Sequence, residues 1–422
     1  MTPDPPANDP AQRGWLKLTL VFAAASFIET VGFGHFIAFL PLLVTDIGVP
    51  APDVPTTVGL LSAAALLVGM PLVPFWGAWA DRYSRKLIIV RSALVEAVLF
   101  GFLIFTHEVW QLFVLVPLVG LVLGNTGVML AEITDRTPRH RLGFAISLVG
   151  TAGPLGFAVG PAFGGFLADR YGVQSLFLID AVLTAGVVAL LVLGYHERAD
   201  RPRTTQRVLT LVRRSLVAVV RHPLARAIFL AYFLLLLAQR LPLPFIALWV
   251  EQLNGPVGLA TVVGLVAGGY GLASAIGSPL GGLLGDRIGY RRVFVAGVLA
   301  VAVCLGLIAL SPSLVPFALA YAAYGVGFAT AGSMLFTMLA TGLPAEIRSP
   351  VLNLALFPLY VSGVIGSLLS TAVLAGTGGD IRPLWAIAAF VAVLAIAPAV
   401  LAMGRGSSGD PGRGSPTDQG TL

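Results

Sequence analysis

Several ionisable side chains lie inside long apolar stretches of the sequence, where a charge costs roughly 2.5–3.5 kcal/mol at the centre of a bilayer. Glu29 has the clearest potential chemistry, because it lies about 11–13 residues into the first apolar stretch, near the middle of a membrane. Ser26, Glu29, Thr30 and Phe33 share one face of a helix at this spacing. A carboxyl group on such a face can take up a proton when it is dry and release it when water or a cation arrives. The other such side chains are His35, Arg91, Glu96, Asp180 and Arg240.

Arg240, beside Gln239, lies in an apolar stretch of the second half of the chain. Matching Phe36–Ala38 with Phe245–Ala247 places Arg240 within two residues of the position equivalent to Glu29. A pair between Glu29 and Arg240 would neutralise both charges in a dry cavity, and protonation would break it. The alternative places Arg240 near the outer mouth, where it would attract anions.

The roles of the remaining polar residues are less specific. His35 points about 120° away from Glu29 on the helix, so it is either a packed neutral histidine or part of a proton relay through water. We expect Glu96 to bind an arginine or a backbone group, and Asp180 to face the lipid headgroups. Three further residues either form hydrogen bonds in a cavity or join helices: Asn125, Asn353 and Tyr360.

The composition requires a membrane to position these residues. Of the 422 residues 57% are hydrophobic and only 11% are charged, whereas a soluble domain carries about 25% charged residues. This excludes a soluble enzyme and a disordered chain. Cys304 is the one cysteine, so neither a disulfide framework nor a thiolate metal site is expected. We expect no enzymatic activity, cofactor or metal, because no nucleotide loop, metal-ligand cluster or nucleophile triad occurs. The net charge of +6 is scattered through loops, which argues against nucleic acid.

Apolar stretches bounded by charges or by Pro and Gly predict an all-α integral membrane protein with twelve transmembrane helices. The first stretch is too long and too early for a cleaved signal peptide, so we expect it to be retained. The predicted spans are Leu16–Val44, Thr57–Ala80, Leu87–Thr106, Trp110–Ala131, Leu142–Ala168, Gln174–Gly194, Leu224–Val250, Gly258–Gly285, Val293–Leu310, Leu314–Leu343, Val351–Ala375 and Ile381–Met403.

These spans group into two six-helix bundles, residues 16–194 and 224–403. Residues 1–15 form a predicted N-terminal tail, and the Gly-, Ser- and Pro-rich residues 404–422 form a disordered C-terminal tail. Residues 195–223 form a basic linker, within which Val208–Val220 either lies on the inner membrane surface or is solvated.

The distribution of basic residues predicts the orientation. If both termini are cytoplasmic, the outer loops contain only Arg170 and Arg382 of the 26 Lys and Arg residues, as the positive-inside rule requires. We therefore expect a multi-pass protein of the inner cell membrane whose partners are the bilayer, protons and a small molecule. A monomer is expected.

Two loops repeat one pattern. Gly77-Ala-Trp-Ala-Asp81-Arg82-Tyr-Ser84-Arg85-Lys86 follows the second span, and Gly282-Leu-Leu-Gly-Asp286-Arg287 follows the eighth. A duplication of six spans places the pseudo-two-fold axis along the membrane normal, as in transporters built from parallel repeats. The first loop resembles the G-x-x-x-D-R-x-G-R-[KR] signature of the major facilitator superfamily, with Ser84 in place of the second glycine. The resemblance covers essentially the whole chain and implies that both loops latch the cytoplasmic ends of the bundles.

A second motif in span five indicates a branch of the superfamily. Gly156, Gly160, Pro161, Gly164 and Gly165 form a complete g-x-x-x-G-P-x-x-G-G, which resembles the antiporter signature of the twelve-span drug:proton antiporters, including bacterial multidrug exporters. Small residues at this spacing allow close helix contact, and proline removes a backbone donor. Generic packing of small residues is the alternative interpretation.

Two positions in span four depart from the antiporter pattern. The family often has R-x-x-Q-G in span four, where this chain has Val116 and Val119 before Gly120, so a proton route must use other residues. The resemblance implies a proton-coupled exporter of drugs or amphipathic small molecules that works by alternating access. The alternatives are a proton-coupled symporter or facilitator for a metabolite and a non-transporting membrane sensor.

Overall fold

The computed structural model describes residues 14–122, 125–197, 208–344, 347, 351 and 354–404, and these residues form helices without a β-strand. A helix satisfies its own backbone hydrogen bonds, which a segment surrounded by lipid requires. Within the described ranges, eleven helical segments are long and apolar enough to cross a membrane. A further helix of 19 residues, Arg85–Leu103, is less apolar because it contains four charged residues, but its length of about 28 Å still suffices. The predicted all-α fold with twelve spans is confirmed.

The first six spans follow one another with short connections. Proline interrupts two of them, at the single turns Met70–Leu72 and Val116–Leu118, because it cannot donate the next helical hydrogen bond. Span five continues through Pro154 and Pro161 as one helix. The helices are Trp15–Asp46 (span one), Val54–Leu67 and Val73–Arg82 (two, preceded by the turn Ala51–Asp53), Arg85–Leu103 (three), Val109–Leu115, Val119–Val122 and Asn125–Arg136 (four), Arg139–Tyr171 (five) and Val173–Gly194 (six).

The second six spans repeat this arrangement. Span seven is interrupted by the single turn Leu243–Phe245, which contains Pro244. The helices are Pro223–Arg240 and Ile246–Asn254 (seven), Leu259–Ile288 (eight), Tyr290–Ala309 (nine), Leu314–Gly342 (ten), Phe357–Gly376 (eleven), and Arg382–Leu394 with Ile396–Gly404 (twelve).

The main hydrophobic core shared by the two bundles lies at one end, and a small apolar cluster also joins spans two and eleven. The larger core joins the second bundle to the end of span one and the start of span two, including Phe36 and Val58. A separate core, which includes Phe22, Trp76 and Ile89, fills the opposite end of the first bundle. Span five packs on span eight, and span two packs on span eleven. The bundles are therefore closed on each other at the end where span one finishes.

The linker contains a helix, Val208–Arg221, that packs on the second half of span two and the start of span seven. Val212 is buried, whereas Arg213 and Arg214 are exposed, as is Leu209. An exposed apolar side chain beside arginines is typical of a helix at a membrane surface. That location stays a prediction.

Candidate functional site

Glu29 lies inside the first bundle and contacts span four. Asn125 Nδ2 donates a hydrogen bond of 2.6 Å to Glu29 Oε2, and Glu29 Oε1 is buried without a partner. Both side chains are buried, with 8% and 6% of their surface exposed. The predicted cavity residue Asn125 is thus a direct partner of the predicted proton-carrying carboxyl group.

Glu96 in span three is more isolated than Glu29. It is 1% exposed, and neither carboxylate oxygen has a hydrogen-bond partner. The carboxyl groups of Glu29 and Asp180 are close enough to interact electrostatically with it. The expectation that Glu96 binds an arginine or a backbone group was wrong, because span three turns this side chain into the bundle interior.

His35 and Asp180 form a buried pair. His35 Nδ1 lies 2.9 Å from Asp180 Oδ2, and the opposite ring nitrogen, Nε2, lies 2.8 Å from the carbonyl oxygen of Gly160. Asp180 is 2% exposed, so the prediction that it faces the headgroups was wrong. A histidine held between a carboxylate and a carbonyl can donate to both only when both ring nitrogens carry protons.

The glycines of the span-five motif adjoin span one. A methyl group on Gly160 would lie 2.9 Å from the carbonyl oxygen of Val31 and 3.0 Å from its Cα. A methyl group on Gly156 would overlap the carbonyl oxygen of Phe27, and one on Gly164 would overlap the ring of His35. These glycines therefore bring span five against the backbone of span one and leave room for the His35 ring.

A second face of the same motif packs against the other bundle. A methyl group on Gly165 would overlap the carbonyl oxygen of Ala260 in span eight, and one on Gly264 would overlap that of Pro161. One turn beyond the motif, Asp169 accepts hydrogen bonds from the backbone N–H groups of Ala260 (3.1 Å) and Thr261 (2.8 Å). The carboxylate caps the first turn of span eight, where it also favours the positive end of the helix dipole. The motif thus joins span one, span five and span eight.

A cavity of about 50 Å³ lies between the bundles and is lined by spans one, two, four, seven and eleven. Two of the predicted residues, Phe33 and Arg240, line it. Gln239 donates a hydrogen bond of 2.8 Å to the Tyr270 hydroxyl. Val119, which stands at the usual glutamine position of span four, also lines this cavity.

Other residues predicted for the cavity serve helix packing. Ser26 Oγ lies 3.5 Å from Met129 Sδ, and Thr30 donates a hydrogen bond to the carbonyl oxygen of Ser26 on its own helix. Tyr360 belongs to a small apolar cluster between spans two and eleven. Asn353 lies outside the described residues.

Arg240 is not paired with Glu29 in this structure. Among the residues that the structure describes, no carboxylate forms an ion pair with Arg240, and its Nε atom is buried without a hydrogen-bond partner. Arg91, the other arginine inside a span, stacks on the Trp76 ring at 3.6 Å from its centroid.

The first loop motif connects the ends of spans three, four and six. Arg85 Nη1 pairs with Glu132 (2.8 Å) and with Asp135 (2.7 Å), and Lys86 donates a hydrogen bond to the carbonyl oxygen of Val192 at 2.7 Å. Ser84 has extended backbone and caps the helix of span three, accepting a hydrogen bond of 3.0 Å from the N–H of Leu87. Glycine is therefore not required there.

These loop contacts lie within the first bundle and do not bridge the bundles. The latch between bundles stays a prediction for Gly77, Asp81 and Arg82, and the side chain of Asp81 lies outside the described residues. In the second copy, Asp286 and Arg287 are exposed, and Asp286 accepts a hydrogen bond of 2.8 Å from the Tyr290 hydroxyl. A methyl group on Gly282 would meet open space, so close helix approach is not its role here.

Comparison with known proteins agrees with this architecture. The sequence profile of the Major Facilitator Superfamily matches residues 22–259 and 228–420, which together cover most of the chain. The chain belongs to the major facilitator superfamily.

Curated relatives in this superfamily include bacterial multidrug resistance proteins. The chain is 33% identical over 294 residues to multidrug resistance protein MdtG of Serratia proteamaculans. It is 31% identical over 288 residues to MdtG of Salmonella typhi. Each match covers 68% of this chain and 70% of the relative.

Solved transporters share the fold at much lower identity. The nucleoside transporter NupG superposes with a TM-score of 0.71 at 16% identity, over 92% of this chain and 99% of that chain. A POT family transporter in complex with 5-aminolevulinic acid superposes with a TM-score of 0.73 at 11% identity, over 92% and 96%. These structures show the fold, and the family match together with the multidrug resistance relatives identifies the protein as a secondary transporter with many membrane spans, and not an enzyme.

Proposed function

We propose that this transporter exports drugs or amphipathic small molecules in exchange for protons, with Glu29 as the coupling carboxyl group. The observation that carries the proposal is the setting of Glu29, which is buried with one hydrogen bond and one unpartnered oxygen. An ionised carboxylate without a compensating cation is unstable in such a place, so protonation stabilises the closed arrangement. The MdtG relatives support export as the direction.

Glu96 and the His35–Asp180 pair provide further proton-binding groups beside Glu29. Glu96 has no partner for either oxygen, so it is uncharged as long as the bundle interior remains dry. His35 contacts Gly160 of the antiporter motif, and a change in its charge would therefore act where spans one and five meet. This network replaces the span-four arginine and glutamine that the chain lacks.

The orientation of the chain belongs to this proposal. With both termini in the cytoplasm of a cell with an inner membrane, the end at which the bundles share a core is the outer end. The structure then corresponds to a transporter closed to the outside. The Asp169 cap on span eight and the Gly165–Ala260 contact hold that closure. We propose that one copy of the chain suffices, because the cavity is lined by both bundles of the same chain.

The test uses inverted membrane vesicles with an acidic interior and a pH-sensitive dye inside. Adding a transported compound to the wild-type protein should release protons from the interior, because substrate enters in exchange. Glu29→Gln should abolish this release while the protein still folds. Glu251→Gln is the matched control, since Glu251 is an exposed glutamate of span seven.

Three outcomes would refute parts of the proposal. Wild-type proton release by Glu29→Gln would exclude Glu29 as the coupling group. Movement of substrate and protons in the same direction would indicate a symporter. Substrate uptake by the wild-type protein without proton movement would indicate a facilitator.

A further inference from the structure

Span seven brings a cationic side chain to the cavity between the bundles, and within the described part of the chain no acid neutralises it. Arg240 lines this cavity, and its Nε atom is buried and has no hydrogen-bond partner. Gly366 of span eleven makes room for it, since a methyl group there would lie 2.8 Å from Arg240 Cβ. A partly buried charge without a partner destabilises the folded protein, so its presence indicates a ligand or a function.

Three tyrosine side chains lie near Arg240. Tyr232, Tyr270 and Tyr324 lie within electrostatic range of its guanidinium group. Gln239 fixes the Tyr270 hydroxyl with a hydrogen bond of 2.8 Å, and the Tyr324 hydroxyl is buried without a partner. A guanidinium group offers N–H donors in a planar fork, and a phenol adds an O–H donor. Both the Arg240 Nε–H and the Tyr324 hydroxyl therefore lack a hydrogen-bond partner.

The rest of the cavity is mostly apolar. Phe33, Phe36, Leu66 and Leu243 are among the side chains that line it. At about 50 Å³ the cavity holds only a few water molecules. A larger molecule therefore enters only when the bundles move apart.

We propose that the transported molecule is an amphipathic anion, an apolar body with one carboxylate or similar acidic group that Arg240 binds. The planar fork of Arg240 matches the two oxygens of a carboxylate, and the Tyr324 hydroxyl supplies a further donor. The apolar walls accommodate the body of the molecule. This inference rests on the proposed export function, because it names the class of compound exported.

The test measures equilibrium binding to the purified full chain in lipid nanodiscs without a proton gradient. Three probes share one aromatic body and differ in the head group: naphthaleneacetate, naphthaleneacetamide and naphthylethylamine. We expect the wild-type protein to bind the acid at least about tenfold more tightly than the amide or the amine, as a charge-assisted bond predicts.

Arg240→Gln should remove this preference, and Arg240→Lys should keep part of it. Arg226→Gln is the matched control, because Arg226 is exposed on the same helix and its loss removes the same charge. Tyr324→Phe should weaken acid binding severalfold and serves as the second variant if Arg240→Gln does not fold.

The proposal is overturned if the wild-type protein binds none of the probes, or binds the acid no more tightly than the amide. An unchanged preference in Arg240→Gln, or in Tyr324→Phe when that variant carries the test, also overturns it. Because no gradient is present, loss of proton coupling in the vesicle assay leaves this result unaffected. The two proposals can therefore fail separately.

Discussion

Gly165→Ala tests whether the contact between spans five and eight holds the bundles together. The added methyl group would overlap the carbonyl oxygen of Ala260, 2.7 Å from its carbonyl carbon and 3.0 Å from the Cα of Thr261. Favourable carbon–carbon separations are about 3.5–4.0 Å. Backbone atoms cannot rotate away from the methyl group, so the two helices must separate by about 0.5–1 Å at this point.

This separation destabilises only the arrangement in which the two bundles are in contact at Gly165 and Ala260. Adding a methylene to a well-packed contact costs about 1–3 kcal/mol. Gly165 and Ala260 belong to different bundles, so the cost disappears once the bundles part at this end. The ratio of parted to closed molecules should therefore rise by about 5- to 150-fold.

The assay is a distance measurement between spin labels at Tyr171 and Val257, which flank the contact and are 64% and 85% exposed. In Gly165→Ala the longer distances should gain population. Gly150→Ala on the same helix is the matched control, because a methyl group there meets nothing within 4 Å. Identical distance distributions for the wild type and Gly165→Ala would refute the reasoning.

Further substitutions test helix packing at Gly160 and the buried ion pairs of Glu132 within the first bundle. Gly160→Leu should reduce export per folded molecule far more than Gly160→Ala, because Gly160 faces the backbone of Val31; near-wild-type export by the leucine variant would show that this face has space. Glu132→Gln removes a buried charge that Arg85 and Arg136 share and should lower the free energy of unfolding by about 3 kcal/mol. Denaturant unfolding in detergent measures this free energy. A decrease below about 0.5 kcal/mol, which is typical of surface substitutions, would contradict a stabilising role for the buried Glu132 charge.

The fold could be predicted largely because a membrane restricts a chain to so few structures. Long apolar stretches must be helices, and their ends are marked by charges and prolines. The third span was predicted despite Arg91 and Glu96, since most of its remaining residues are apolar. The turns at Pro71, Pro117 and Pro244 were not predicted as interruptions, because proline can also remain inside a helix, as Pro161 does.

The candidate site was only partly predictable, because the sequence shows depth in the membrane but not direction around a helix. The depth of Glu29 in span one indicated a buried carboxyl group, and its partner Asn125 was named as a cavity residue without being assigned to it. The environments of Glu96 and Asp180 were misjudged, since both are set by side chains from other spans. The nearest sequence signal for the His35 site was Gly164, whose missing side chain leaves room for the ring.

Comparing equivalent positions of the two bundles separates residues needed for helix packing from residues needed for function. Matching Phe36–Ala38 with Phe245–Ala247 makes Val31 the counterpart of Arg240. Val31 packs against Gly160 of span five, and Arg240 packs against Gly366 of span eleven. The same backbone contact therefore occurs twice, with an apolar side chain in one bundle and a cation in the other. Close packing of the two helices requires only the glycine and the backbone that it contacts, so an apolar residue such as Val31 is sufficient at this position. The charge on Arg240 breaks the symmetry at a cost in stability, which is expected where a residue serves a ligand and not the fold.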